Sequence, residues 1–327
     1  MTMFRRGIIG ALIVAAPLAA LPATAQPAKK APPPPAPPAA ATPAPGNADL
    51  AYGAYQRGFY LTAFNEATRR AQQNDPAAMT LLGEIYTQGV AVPRDEAKAA
   101  DWYRRAAGLG DANAMFALAM LDIQGRGIPR NFDEAMRMLQ DAASRNHPLA
   151  CYDLGLLYLQ GQQVQQDFKR AAELFATAAG IGNPEAQYAL ATMYKEGRGV
   201  DKDQAKAMVL MGQASIGGNL DAMVEYAIGR FNGTGVPKDE ADAAQIFLRA
   251  ARLGSPIAQN RLARILMAGR GMAANPTEAI KWHIIAKAAG SGDPDLDAFA
   301  GQQPQAVRDA ADQAAKKWMA TAAGLRS

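Results

Sequence analysis

The side chains able to do chemistry are few, and they are poorly placed for it. Beyond residue 26 the serines are Ser144, Ser215, Ser255, Ser291 and Ser327. None is followed three residues later by lysine, so a Ser-x-x-Lys nucleophile is missing. The two histidines, His147 and His283, have no second histidine at ligand spacing, which argues against a metal or catalytic histidine. His147 stands at an expected helix N-cap, and His283 in an expected core column with Tyr103 and Phe175. The single cysteine, Cys151, permits no intramolecular disulfide. Its column otherwise holds Met79, Met115, Gln187, Met223 and Gln259, which favours a semi-buried apolar filler over a redox or cross-linking thiol. Gly-x-Gly recurs at 125–127, 197–199, 233–235 and 269–271, but it joins helix to helix and lacks the third glycine of a phosphate loop. No catalytic residue, metal ligand or cofactor is expected.

The elements that would position any site come from a repeat. Six copies of a 36-residue unit run in register over 75–290: 75–110, 111–146, 147–182, 183–218, 219–254 and 255–290. A period of this length marks a solenoid of stacked supersecondary units. The first helix of each unit begins after Asp75, Asp111, His147, Asn183, Asn219 or Ser255, mostly good N-caps. It ends at Gly89 or its equivalents, which tolerate positive φ. The second helix opens at an Asp or Asn in every copy (Asp95, Asn131, Asp167, Asp203, Asp239, Asn275), with Glu134 and Glu278 set to complete capping boxes. It closes at Gly110, Asn146, Gly182, Gly218, Gly254 and Gly290. Two all-alanine columns, beginning at Ala99 and Ala106, share one face and permit close helix contact.

The flanks differ from the array. Arg5-Arg6, the apolar run Ile8 to Leu21 and Ala23-Thr24-Ala25 form the pattern of a signal peptide over 1–25, cleaved after Ala25. A Pro/Ala-rich disordered linker is expected over 26–46. Capping helices are expected over 47–74, where Tyr52, Tyr55, Phe59 and Tyr60 would cover the first repeat, and over 291–327. The expected location is periplasmic, with secretion the alternative, and no transmembrane segment is expected in the mature chain. Residues 1–46 contain four basic residues and no acidic one; the remainder holds 30 Lys+Arg against 30 Asp+Glu. That neutrality argues against nucleic acid as a partner.

The units resemble Sel1-like repeats, a branch of the tetratricopeptide superfamily. The fourth copy carries the likeness best, in Ala186, Leu190, Tyr194, Gly197-Arg198-Gly199-Val200, Asp203 and Ala207. The first adds Leu82-Gly83, Tyr86, Asp95-Glu96-Ala97-Lys98, Trp102-Tyr103 and Ala106-Ala107, and the sixth Trp282. Asp122, Arg230 and Leu266 depart from the first-helix tyrosine, and Ala91 and Gln163 from the second loop glycine, which points to repeats with altered surfaces. The resemblance implies an all-α, right-handed α-solenoid of helix-turn-helix repeats acting as a non-catalytic adaptor.

A binding surface is expected on the first helices, opposite their core stripe. Its candidates are Phe116, Met120 and Ile123 in the second copy, Tyr152, Leu156 and Leu159 in the third, Tyr188 in the fourth, and Val224, Ile228 and Phe231 in the fifth. The first and last copies are more polar there, with Thr80, Glu84, Asn260 and Arg264. Two outcomes are open: inter-repeat packing consumes the stripe, or it lines a concave groove for a protein or peptide held by a monomer. The rival functions are an envelope enzyme acting on peptidoglycan or β-lactams, built from loop carboxylates and tyrosines, and a sensor of cell-wall fragments.

Overall fold

A computed structural model describes residues 50–324, with side chains to 321. The signal segment, the Pro/Ala-rich linker and residues 47–49 lie outside the described residues. The described residues form helices and no strand. They open with α1 (Leu50–Gln56) and α2 (Tyr60–Ala71), followed by α3 (Pro76–Gln88), α4 (Glu96–Gly108), α5 (Ala112–Gln124), α6 (Phe132–Ser144) and α7 (Pro148–Gln160). Then come α8 (Phe168–Gly180), α9 (Pro184–Glu196), α10 (Gln204–Ile216), α11 (Leu220–Asn232) and α12 (Glu240–Arg252). The chain closes with α13 (Pro256–Ala268), α14 (Pro276–Ala288), α15 (Pro294–Gln302) and α16 (Gln305–Gly324). Two compact units divide after Gln166, so α1–α7 belong to the first and α8–α16 to the second. Each is a stack in which consecutive helices pack on one another, except that α16 packs on α14.

Caps set the helix boundaries. The side chains of Asp75, Asp111, His147, Asn183, Asn219 and Ser255 each accept a backbone N–H from the first turn of the odd-numbered helix that follows. Asp95, Asn131, Asp167, Asp203, Asp239 and Asn275 do the same for α4 to α14. Each of these twelve helices is 13 residues long, so the caps act as fixed rulers. The residues closing the second helices, Gly110 to Gly290 with Asn146 among them, all have positive φ.

The capping boxes are only half formed. Asn131 and Asn275 accept from the Glu134 and Glu278 N–H groups, as expected. Their own N–H groups, however, donate to carbonyls of the preceding helix, Asp122 O at 3.1 Å and Leu266 O at 2.9 Å. With that donor already used, Glu134 turns to Arg137 and Glu278 to Lys281. The same backbone bond recurs from Asp95 to Tyr86, Asp203 to Tyr194 and Asp239 to Arg230. It uses a carbonyl, so the tyrosine column can hold Asp122, Arg230 or Leu266 without losing the link.

Small residues make the core. Every alanine of the two columns, from Ala99 and Ala106 to Ala279 and Ala286, is fully buried. A Cβ on Gly83 would overlap the Tyr103 ring, which shows how closely α3 and α4 approach. Cys151 is more buried than expected, wholly inside the first unit, with its thiol 3.6 Å from the Ala143 carbonyl.

Of the four N-terminal aromatics, Tyr55 is half-buried and its hydroxyl reaches Glu84 of the first repeat. Tyr52, Phe59 and Tyr60 are exposed, and the residues turned inward are Ala51, Ala54, Ala63, Ala67 and Ala71. A short α1 backed by alanines packs closely through small side chains, so those three rings stay outside. Ala311 and Ala315 of α16 are buried, and Trp318 meets Trp282 edge-on at 5.6 Å.

Candidate partner-binding surface

The stripe on the odd-numbered helices faces the start of the next repeat. In α3, Thr80 Oγ1 donates to Asp111 Oδ1, the cap of α5, at 3.1 Å. One period on, the Phe116 ring stacks on the imidazole of His147, the cap of α7, at 4.8 Å. In α13, Asn260 Nδ2 donates to Asp293 Oδ2, the cap of α15, at 3.0 Å. Stacking of repeats therefore covers this column at positions 80, 116 and 260.

Four of the ten candidate residues are core. Phe116 is 6 % exposed, Met120 8 %, Leu156 5 % and Val224 6 %, because inter-repeat packing consumes them. A partner cannot reach them without prising helices apart, and they leave the candidate surface. The other six are half-buried: Ile123, Tyr152 and Leu159 in the first unit, and Tyr188, Ile228 and Phe231 in the second. Tyr188 packs beside Met208 and Met211, while Ile228 and Phe231 pack against the cluster containing Phe247 and Trp282. Arg270 also lies over the Phe231 ring, 4.5 Å from its centre.

Two titratable groups of α7 are withdrawn from water: its cap His147 is half-buried and the interior Asp153 is buried. His147 Nδ1 accepts the Ala150 N–H at 3.1 Å, and burial lowers the imidazole pKa from 6.5 to about 4. A proton on Nδ1 would remove the lone pair that caps the helix. Asp153 is fully buried, both carboxylate oxygens lack a hydrogen-bond partner, and burial raises its pKa from 3.8 to about 7. Its sequence signal was an acid amid Leu154, Leu156 and Leu157 on a helix apolar all round.

A tyrosine–carboxylate contact of the kind a hydrolase would need lies near the N-terminus. Tyr55 Oη donates to Glu84 Oε1 at 3.0 Å, and Gln88 Nε2 donates to the same oxygen at 3.0 Å. Burial raises the Glu84 pKa, and these two hydrogen bonds oppose the rise. The arrangement ties α1 to α3, and it places no nucleophile beside the carboxylate. Among the described residues no group of three or more His, Cys, Asp or Glu side chains is arranged to hold a metal.

The loops carry a second recurring device. Glu96, at the start of α4, accepts from Arg94 Nε at 3.1 Å and from Arg126 Nε, on the next repeat's loop, at 2.9 Å. Glu240, at the start of α12, pairs with Lys238 at 2.8 Å and Arg270 at 2.5 Å, and the latter two hold its pKa down at about 2. Arg198 meets the Phe168 ring instead, 6.0 Å from its centre. The loop arginine thus covers the residue that opens the preceding repeat's second helix.

Repeat after repeat, the same caps and buried alanines recur, and the Sel1 repeat family matches residues 76–111, 112–147, 148–183, 184–219, 220–255 and 256–291. The chain belongs to the Sel1 repeat family. The solved structure of a Sel1 repeat protein from Oxalobacter formigenes is 29% identical, over 73% of this chain and 97% of that one, with a TM-score of 0.61. A second structure is that of c5321, described as a protective antigen present in uropathogenic Escherichia coli strains and displaying an SLR fold. It is 25% identical over 85% of this chain, with a TM-score of 0.70, and this chain spans 62% of it. No curated protein matches. Sel1 repeat proteins are generally protein-interaction scaffolds, and their solenoid is typically non-catalytic. Among the described residues no helix is long and apolar enough to cross a membrane.

Proposed function

We propose that this Sel1 repeat protein is an exported, periplasmic scaffold that holds a protein or peptide partner as a monomer, with no catalytic step of its own. The observation carrying this reading is the division of labour within the repeat. Its constant positions are consumed by caps and buried alanines, whereas six of the ten apolar candidates, at positions that differ between copies, keep part of their surface in water. Ile123, Tyr152 and Leu159 on one unit, and Tyr188, Ile228 and Phe231 on the other, are the proposed contact residues. A half-buried apolar side chain gains from a partner by losing its remaining water contact, about 25 cal/mol per Å². Export rests on Arg5-Arg6, the apolar run to Leu21 and Ala23-Thr24-Ala25.

A photo-crosslinking residue at position 152 or 188 in living cells tests this. The expected result is a discrete cross-linked species in the periplasmic fraction, carrying a mature chain that begins at Gln26. Saturable turnover of an envelope substrate by the purified chain, abolished by one polar substitution, would replace the scaffold with an enzyme.

A further inference from the structure

The loop clamp fails at one step within the first unit, and the failure leaves a cleft. Where the clamp forms, after the first, third and fifth copies, three residue types cooperate: a carboxylate or ring opening the even-numbered helix, an arginine on the next loop, and a glycine beside it. The step after the fourth copy has Gln204 and Thr234 in the first two places and keeps only Gly235. A Cβ on Gly127 or Gly271 would overlap the carbonyl of Glu96 or Glu240, so glycine is what lets the loop sit down on the helix start. Between the second and third copies both loop residues are lost together, the arginine and the glycine. Phe132 stands where Glu96 and Glu240 stand, Gln162 replaces the arginine, and Gln163 replaces the glycine without adopting its positive φ.

The result is a cleft of about 210 Å³ lined by Ile123, Arg130, Phe132, Leu157 and Gln163. The change also strands a cation. Arg94 and Lys238, the counterparts of Arg130, both pair with the glutamate opening the helix. With Phe132 in that place, Arg130 Nε donates to the Ile123 carbonyl at 2.6 Å, and no carboxylate pairs with its guanidinium among the described residues.

We propose that this cleft is a subsite for one large apolar side chain flanked by carboxylates on a peptide or protein partner. The inference rests on the scaffold reading and gives that partner its chemistry. The cleft falls below the ~300–1,000 Å³ of small-molecule pockets, which suits a single side chain. Its walls offer the Phe132 ring with Ile123 and Leu157, and Arg130 at the edge supplies the complementary charge. An incoming arginine, the group that fills this position in other copies, would set a second cation beside Arg130.

The test titrates the purified chain from Gln26 with the acetylated, amidated pentapeptide Glu-Glu-Phe-Glu-Glu, followed by calorimetry and by NMR shifts. Saturable binding at about 1 mM or tighter is expected, weakened about tenfold or more when Ala replaces Phe or when Lys replaces Glu. Arg130→Glu should weaken it by at least as much. The double variant Gln162→Arg, Gln163→Gly installs the Arg-Gly pair of the three clamped loops, so it should fold at least as well and lose binding. Undiminished binding by these variants, tighter binding of the lysine peptide, or none at about 1 mM overturns the subsite. Cross-linkers at 162 and 188 separate the two readings. Capture at 188 with none at 162 ends the cleft proposal and keeps the scaffold, whereas capture at neither ends both.

Discussion

His147 and Asp153 sit on one helix and pull its stability in opposite directions with pH. Burial lowers the His147 pKa to about 4, so the unfolded chain binds the extra proton first as pH falls from 6.5. Stability from this group is complete above 6.5 and is lost as pH falls through 4. Burial raises the Asp153 pKa to about 7, so here the folded chain binds the extra proton. Stability from this group is complete below 3.8 and is lost as pH rises through 7. Between pH 4 and 6.5 the two slopes have opposite sign and largely cancel, which a single substitution should unmask. Asp153→Ala, the residue standing at 117 and 189 in the same column, should stabilise by roughly 2–4 kcal/mol at pH 8, with the gain shrinking towards pH 4. His147→Asn keeps an N-cap oxygen and should gain roughly 1–3 kcal/mol near pH 4 with little change at pH 8. Urea unfolding of both variants across this range checks the pair. A parallel offset from the parent at all pH values would show that neither group titrates as its burial demands.

A helix pair was legible almost to the residue, because its boundaries are set by local chemistry. An Asp or Asn accepting a first-turn N–H, and a glycine at positive φ, work the same way in any context, so Asp203, Gly218 and their equivalents could be read directly. What could not be read depended on neighbours. Glu134 has the right spacing for a capping box, yet the donor it would serve is taken by the Asp122 carbonyl of another helix. Phe116 has the right face for a partner, yet His147 of the next repeat stacks on it. The clamp is likewise a property of two repeats, and a period read within one repeat misses it. Its steric half makes a sharp prediction. Gly127→Ala adds a Cβ at φ 70° that overlaps the Glu96 carbonyl, and should cost more than about 1 kcal/mol in unfolding free energy. Gly108→Ala, at a helical site with nothing near the added Cβ, should stabilise by a few tenths to about 1 kcal/mol. Equal effects at the two sites would remove the packing argument for the loop glycine.

At the scale of the molecule, a solenoid segment must end somewhere, and the two termini end differently. The second unit is sealed. Asp293 caps α15 while pairing with Arg264 Nη2 at 2.8 Å, and Trp318 covers Trp282, which is buried. At the other terminus Leu50, Tyr52, Phe59, Tyr60 and Leu61 carry apolar surface into solvent, and the fully buried side chains there are alanines. The termini should therefore answer truncation unequally. Trp318→Ala opens the edge of the Trp282 ring and should cost roughly 1–3 kcal/mol, since a large apolar side chain loses its cover. Leu61→Ala, at a side chain 64% exposed, should stay within about 0.5 kcal/mol. Circular dichroism during urea unfolding compares them without relying on the tryptophan removed. If Leu61→Ala proves the costlier, those exposed side chains are being covered by something in the full chain, and the N-terminal end would have to be counted among its contact surfaces. If Trp318→Ala is the costlier, the apolar N-terminal end is tolerated by the fold, and partner contacts fall to the half-buried side chains that vary from one repeat to the next.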